Sequence, residues 1–197
     1  MSKVAFIMIG VSGSGKSTVQ RKLMGELSSI DQYFCSTFSL DDARIRFIHK
    51  SKPGQWWSDL DSEADIYRQA YAFANDAENK KEFDAFVHNE WMATLATNGA
   101  IFIDNTNLTK KSRARWISDA RSKGFKIVCV QVMTPLDTVL ARQSSRTDKS
   151  VPLDTVRDMY LRQQEAQLGT ECDVLINVDG TKPVPREVLD SVHKLVS

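Results

Sequence analysis

Residues 10–18 read Gly10-Val11-Ser12-Gly13-Ser14-Gly15-Lys16-Ser17-Thr18, a fit to G-x-x-x-x-G-K-[ST]. This pattern constrains the fold because it works in one setting, with an apolar strand leading in and a helix leading out. The run Val4 to Val11 supplies the strand, and residues 16–28 have a helical pattern. Glycines let the backbone turn its N–H groups inward around a β-phosphate, and the following helix points its positive end at the same anion. Lys16 is placed to bridge the β- and γ-phosphates, and the Ser17 hydroxyl to complete a Mg²⁺ coordination sphere. The nucleotide-binding stretch is thus Gly10 through Thr18, and the chain is expected to bind a nucleoside triphosphate, ATP, with Mg²⁺.

Short apolar runs alternate with longer helical patterns along the rest of the chain. Strands are expected at 3–9, 33–38, 100–104, 125–133 and 173–178, each nearly continuous in apolar character, as strands covered on both faces are. Helices are expected at 16–28, 42–49, 63–97 with a break, 110–123, 135–144, 153–168 and 186–196. Such alternation predicts an α/β fold with a parallel sheet and helices on both faces. With 197 residues the chain is one domain, large enough to hold a core without disulfides or metal. Residues 50–62 contain Pro53-Gly54 and Trp56-Trp57 and break the alternation, marking a small helical insertion at about 50–98. Cys35, Cys129 and Cys172 have no ligand-like spacing and read as reduced thiols of a cytoplasmic protein. No apolar run reaches the ~20 residues of a membrane span.

Two uses of the triphosphate are disfavoured. A guanine reader of the Asn-Lys-x-Asp type has only Asn79-Lys80-Lys81-Glu82 as candidate, inside a helical pattern and without the Asp. A motor ATPase wants a second acidic residue beside the strand-end Asp104, and Asn105 stands there. Transfer of the phosphoryl group to another acceptor is favoured instead.

An alcohol acceptor needs a carboxylate to orient the hydroxyl and take its proton, and cations to hold the acceptor. Ser39-Leu40-Asp41-Asp42-Ala43-Arg44 follows the second strand, at the sheet edge where doubly wound folds bind ligands. One of the two aspartates can serve the site while the other caps the helix. Asp104-Asn105-Thr106-Asn107 ends the third strand at the same edge and is also good turn chemistry. Residues 142–150, from Arg142 through Arg146 to Ser150, form a basic polar link between two helices. That link suits a lid over the phosphates at about 142–152, and a solvated loop has the same composition.

Taken in order, these four motifs resemble the phage polynucleotide kinases and related P-loop kinases. The likeness covers most of residues 3–165 apart from the tryptophan-containing insertion. It implies a P-loop NTPase fold, with Asp41 as general base for the attacking hydroxyl. It further implies that Arg44 holds the phosphodiester beside that hydroxyl and that Arg146, with Arg142, meets the donor phosphates from the lid. Lys16, Asp41, Arg44 and Arg146 are then the catalytic set, and Arg44, Asp104, Asn105 and Thr106 the acceptor side. In the phage enzymes an Asp directly precedes Thr-Asn-Leu. Here Asn105 does and Asp104 comes one place earlier, so either of the two can face the site. Asn177-Val178-Asp179-Gly180-Thr181 echoes the opening of the phage phosphatase domain but carries Asn where its nucleophile belongs, and reads as a final strand and turn.

The net charge of +1 is unevenly spread, with +4 over residues 1–58, −6 over 59–98, +5 over 99–126 and −2 beyond. Two basic segments converging on one face allow a polyanionic partner. Lys110, Lys111, Arg113, Arg115 and Arg121 make one helix strongly basic, either as a solvated face or as a nucleic-acid track. Trp56 and Trp57 can stack bases or pack on the core, while Trp91 and Trp116 belong to the core. The expected function is transfer of the γ-phosphoryl group to a hydroxyl on nucleic acid, DNA or RNA, foremost a polynucleotide 5′-OH. The alternatives are a phage DNA-modification kinase acting on 5-hydroxymethyluracil, a small-metabolite or nucleoside kinase, and a non-catalytic nucleotide-binding module. Neither a membrane nor a stable protein partner is expected, and the location is the cytoplasm, that of the host if the protein is phage-encoded.

Overall fold

The computed structural model describes residues 2–53, 63–147 and 151–196. Five strands, β1 (Val4–Ile9), β2 (Cys35–Phe38), β3 (Ala100–Ile103), β4 (Lys126–Met133) and β5 (Val174–Asp179), form one parallel sheet in the order β2-β3-β1-β4-β5. Among the described residues eight helices connect and flank them: α1 (Lys16–Leu27), α2 (Leu40–Ser51), α3 (Glu63–Asn75), α4 (Lys80–Leu95), α5 (Lys110–Ser122), α6 (Leu136–Ser144), α7 (Leu153–Leu161) and α8 (Arg186–Val196). No helix among the described residues is long and apolar enough to cross a membrane.

Every residue of β1 is buried, because the strand runs through the middle of a sheet covered on both faces. Val4, Phe6 and Met8 pack with Leu23 of α1 and Val192 of α8 on one side. Ala5, Ile7 and Ile9 meet the other layer, where the Phe38 ring lies 5.1 Å from both Trp91 and Trp116. Trp91 and Trp116 are core residues, as expected. The buried indole N–H of Trp91 is satisfied by the Asp119 carboxylate at 3.0 Å. The break expected within 63–97 lies between α3 and α4, where Asp76 turns the chain by accepting from the Glu78 N–H at 2.9 Å. Cys35, Cys129 and Cys172 are free thiols.

Two expectations need correction. The helix expected over 153–168 ends at Leu161, because the chain beyond it wraps the buried guanidinium of Arg113. Arg113 donates to the carbonyls of Gln164 at 3.0 Å and Glu165 at 3.3 Å, and to both carboxylate oxygens of Glu171 at 2.8 and 3.0 Å. Carbonyls committed to a side chain are lost to a helix, so tertiary contacts override a helix-favouring sequence. The same burial removes Arg113 from the basic face of α5, where it was expected as solvated or as part of a nucleic-acid track.

Candidate active site

The β1–α1 loop closes on itself. The Lys16 ammonium donates to the Val11 carbonyl at 3.0 Å, the Ser14 N–H returns to Val11 at 3.2 Å, and the Gly10 N–H reaches the Thr106 carbonyl at 3.1 Å. Helices α2 and α5 neutralise their own starts with the side chains of Ser39 and Thr109. Helix α1, like α4, α6 and α7, has no side-chain cap, and Gly15 stands at its N-cap in the left-handed region, with φ of 95°. No side chain takes the first N–H groups of α1, and an open helix start after a glycine loop is the kind of place where phosphate binds. Ser17 and Thr18 are exposed at that end.

The loop rests on two supports. The Thr134 hydroxyl donates to the Ser14 carbonyl at 2.8 Å. Arg142, in the last turn of α6, donates to the Gly180 carbonyl at 3.0 Å and to the Gly13 carbonyl at 3.4 Å. Ser12 donates to buried Gln143 at 3.3 Å. Val11 packs with Leu108, Val139 and Val156, so α6 and α7 sit over the loop on a small apolar cluster. The link expected as a lid over 142–152 is shorter than that span. Arg142, Gln143 and Ser144 still belong to α6, and Arg146 lies just past its end, half-buried. Asp148, Lys149 and Ser150 lie outside the described residues, as do Trp56 and Trp57.

On the acceptor side, Ser39 caps α2 by accepting from the Asp42 N–H at 3.4 Å. With Ser39 as the cap, neither aspartate is needed for that job. Asp41 instead receives the Arg44 guanidinium at 2.7 Å. Its side chain remains 48% exposed while that of Arg44 is 17% exposed, so a packed cation aims an accessible carboxylate. The Arg44 guanidinium carbon lies 4.9 Å from the centre of the Tyr71 ring.

Asp104 and Asn105 part at the end of β3. Ala100 and Phe102 face the α1 layer, and Ile101 and Ile103 face the α4–α5 layer. The ladder continues one residue further, through the Asp104 N–H to the Phe38 carbonyl at 2.9 Å. Alternation puts Asp104 on the α1 side, the side of Ser17. Asn105 turns the other way and accepts from the Leu40 N–H at 2.9 Å, tying β3 to the start of α2. Asn105 and Thr106 line a cleft of about 350 Å³ whose walls include Arg44, Lys80, Lys111 and Arg115, and Asp104 is not in its lining.

Mg²⁺ uses few protein oxygens and keeps waters and phosphate oxygens around it. The Ser17 hydroxyl, exposed at the start of α1, fits one such position. Among the described residues no cluster of His, Cys, Asp and Glu could hold a metal by itself.

Three contributors escaped sequence reasoning. Tyr71 lies on a helix of ordinary amphipathic pattern, and nothing local marks its contact with Arg44. Thr134 reads as a helix opener and Gly180 as part of a terminal turn, yet a Cβ on Gly180 would sit 2.2 Å from the Ser14 carbonyl oxygen and 2.2 Å from the Thr134 hydroxyl oxygen. Only a glycine lets that turn approach the phosphate loop so closely.

With β3 inserted between β1 and β2, the strand order reverses beside the phosphate loop, and both halves of the site open at that switch point. Fold and loop together define a P-loop NTPase. Kti12 of Chaetomium thermophilum, solved with ADP-AlF3, shares the fold with a TM-score of 0.63 at 17% identity, over 98% of this chain and 99% of that one. A gluconokinase from Sinorhizobium meliloti 1021 shares it with a TM-score of 0.56 at 15% identity, over 98% and 93%. The chain belongs to the AAA domain family, whose match spans residues 6–166. A protein of Autographa californica nuclear polyhedrosis virus, named "Putative bifunctional polynucleotide kinase/RNA ligase", is 26% identical over 200 residues, 93% of this chain and 25% of the viral one. The chain thus spans a quarter of the length of that relative.

Proposed function

We propose that the protein is an ATP-dependent kinase that transfers the γ-phosphoryl group to a hydroxyl on nucleic acid, foremost the 5′-OH of a polynucleotide end. The observation that carries the reading is the Asp41–Arg44 pair at 2.7 Å, held at the start of α2 beside a cation-lined cleft. The similarity to the viral polynucleotide kinase/RNA ligase supports the choice of acceptor, and the gluconokinase among the fold neighbours accords with the reaction type.

Asp41 accepts the hydroxyl proton as the acceptor oxygen forms its bond to the γ-phosphorus and the bond from that phosphorus to the β,γ-bridging oxygen breaks. ADP leaves with that oxygen. Lys16 and the first N–H groups of α1 hold the β- and γ-phosphates, and Arg146 meets the moving group from above. Arg44 holds the acceptor's phosphodiester while it aims Asp41. Ser17, with Asp104 on the same side of the sheet, would hold Mg²⁺, which would supply positive charge to the phosphate oxygens.

The test is incubation with γ-labelled ATP and three acceptors: a 5′-OH oligonucleotide, a duplex containing 5-hydroxymethyluracil, and gluconate. Label on the oligonucleotide 5′ end is the expected result. Label confined to either of the other acceptors, or released as free phosphate, overturns the reading.

A further inference from the structure

We propose that the face of α5 carrying Lys111 and Arg115 is an anion subsite that holds an acceptor phosphate beyond the one at Arg44. The assignment presupposes the kinase reading above, since it takes the acceptor to be nucleic acid.

The cleft between α2, α4 and α5 is lined by four cations, Arg44, Lys80, Lys111 and Arg115, and by one acid, Asp84. Two of the cations are engaged, Arg44 with Asp41 and Lys80 with Asp84. Lys111 and Arg115 make no salt bridge among the described residues, although the carboxylates of Asp119 and Asp84 act on Arg115 from nearby. They stand one turn apart on the same face of α5, about 6 Å along its axis. Like charges at that spacing weaken a helix, a cost that an anion between them would relieve.

Arg115 is also held in place. Its guanidinium carbon lies 3.7 Å from the centre of the Trp116 ring, and Trp116 is 3% exposed. A planar cation fixed on a buried ring loses little freedom on meeting an oxyanion, and its fork matches phosphate geometry.

The inner end of the cleft asks for acceptor atoms as well. Asn105 Nδ2 and Arg44 Nε are buried donors with no hydrogen-bond partner, and both residues line the cleft. Buried donors are normally satisfied, so two orphans in one cleft mark the place of a ligand oxygen. An acceptor with one phosphate at this inner end and the next one against Lys111 and Arg115 satisfies all four groups.

The experiment compares the wild type with Lys111→Gln/Arg115→Gln, which keeps both side-chain stems. Binding of a fluorescein-labelled pentathymidylate is followed by anisotropy without ATP, across a salt series. The expected result is a Kd at least tenfold higher in the variant and a log–log salt slope shallower by about 1.4, from two phosphate contacts at about 0.7 each on a single strand. Arg115→Lys, which keeps the charge, is expected to recover part of the affinity. Because Arg115 packs on Trp116, Lys111→Glu at an exposed position provides a second test, with a Kd raised at least fivefold. Equal Kd and slope in wild type and variants overturn the subsite. Phosphate transfer is measured in parallel. Transfer to the oligonucleotide with α5-independent binding removes the subsite alone, whereas α5-dependent binding without transfer removes the kinase reading alone.

Discussion

Arg44 donates to Asp41 at 2.7 Å from three residues along α2, while the Tyr71 ring packs against its guanidinium from α3. The ion pair is partly open to water and holds little energy by itself; its value is the direction it gives the carboxylate. Tyr71 limits where Arg44 can go. A cation–π contact at such a site amounts to about 0.5–1 kcal/mol. Tyr71→Leu is therefore expected to raise the acceptor KM about two- to fivefold, since 1.4 kcal/mol is tenfold. The KM for ATP should stay unchanged, and Tyr71→Phe should restore the acceptor KM. Steady-state kinetics on both substrates checks this.

Lys16 spans the phosphate loop to the Val11 carbonyl at 3.0 Å, ready to exchange that partner for phosphate oxygens. Removing one preorganised donor to developing charge costs about 10²–10³ in kcat. Lys16→Met is expected to lose phosphoryl transfer on that scale and to bind ATP more weakly. Single-turnover transfer and nucleotide titration measure the two effects separately.

Gly180→Ala places a methyl 2.2 Å from the Ser14 carbonyl oxygen, against backbone that also carries the phosphate loop. The turn must shift, at a cost of about 1–3 kcal/mol for overpacking. A lower midpoint of thermal unfolding and a raised KM for ATP are expected together. Loss of stability with an unchanged ATP KM would separate the turn from the loop.

The Arg113–Glu171 pair is fully enclosed, with side chains 0% and 5% exposed. Burial works to raise the Glu171 pKa, but the Arg113 hydrogen bonds and charge, with the Gln167 N–H, outweigh it and hold the carboxyl below its ordinary value. A carboxylate depressed in the folded state stabilises the fold above its unfolded pKa, and that contribution is lost as pH falls through the folded value. Acid unfolding that begins below about pH 4.3 is expected to include this group. Glu171→Gln leaves Arg113 buried without its counter-charge and should cost about 3–5 kcal/mol. Urea unfolding at pH 7 and pH 4 tests both statements, since the wild-type advantage over Glu171→Gln should shrink at the lower pH.

Local chemistry made most of the fold legible. The glycine spacing from Gly10 to Gly15 and the apolar runs of the five strands act within a few residues, and the structure has them where the pattern puts them, whereas the cap of α2 falls on Ser39 and not on either aspartate. Long-range contacts were not legible. Nothing near Leu161 announces that Arg113, some fifty residues earlier, takes the Gln164 carbonyl and ends the helix. The Asp41–Arg44 spacing is visible in the sequence, yet the Tyr71 contact and the support of the phosphate loop by Gly180 arise only from packing between distant elements. The choice between Asp104 and Asn105 likewise depended on how far the β3 ladder runs.

The central claim is that Asp41 receives the proton of an alcohol aimed at the γ-phosphorus. Asp41→Asn keeps the size and polarity of the side chain and removes its basicity. Rapid-quench transfer from ATP to a 5′-OH oligonucleotide should fall by about 10²–10⁴-fold, while the Kd for ATP, read by calorimetry, stays within a factor of three or so of the wild type. Transfer at the wild-type rate in Asp41→Asn would contradict the account.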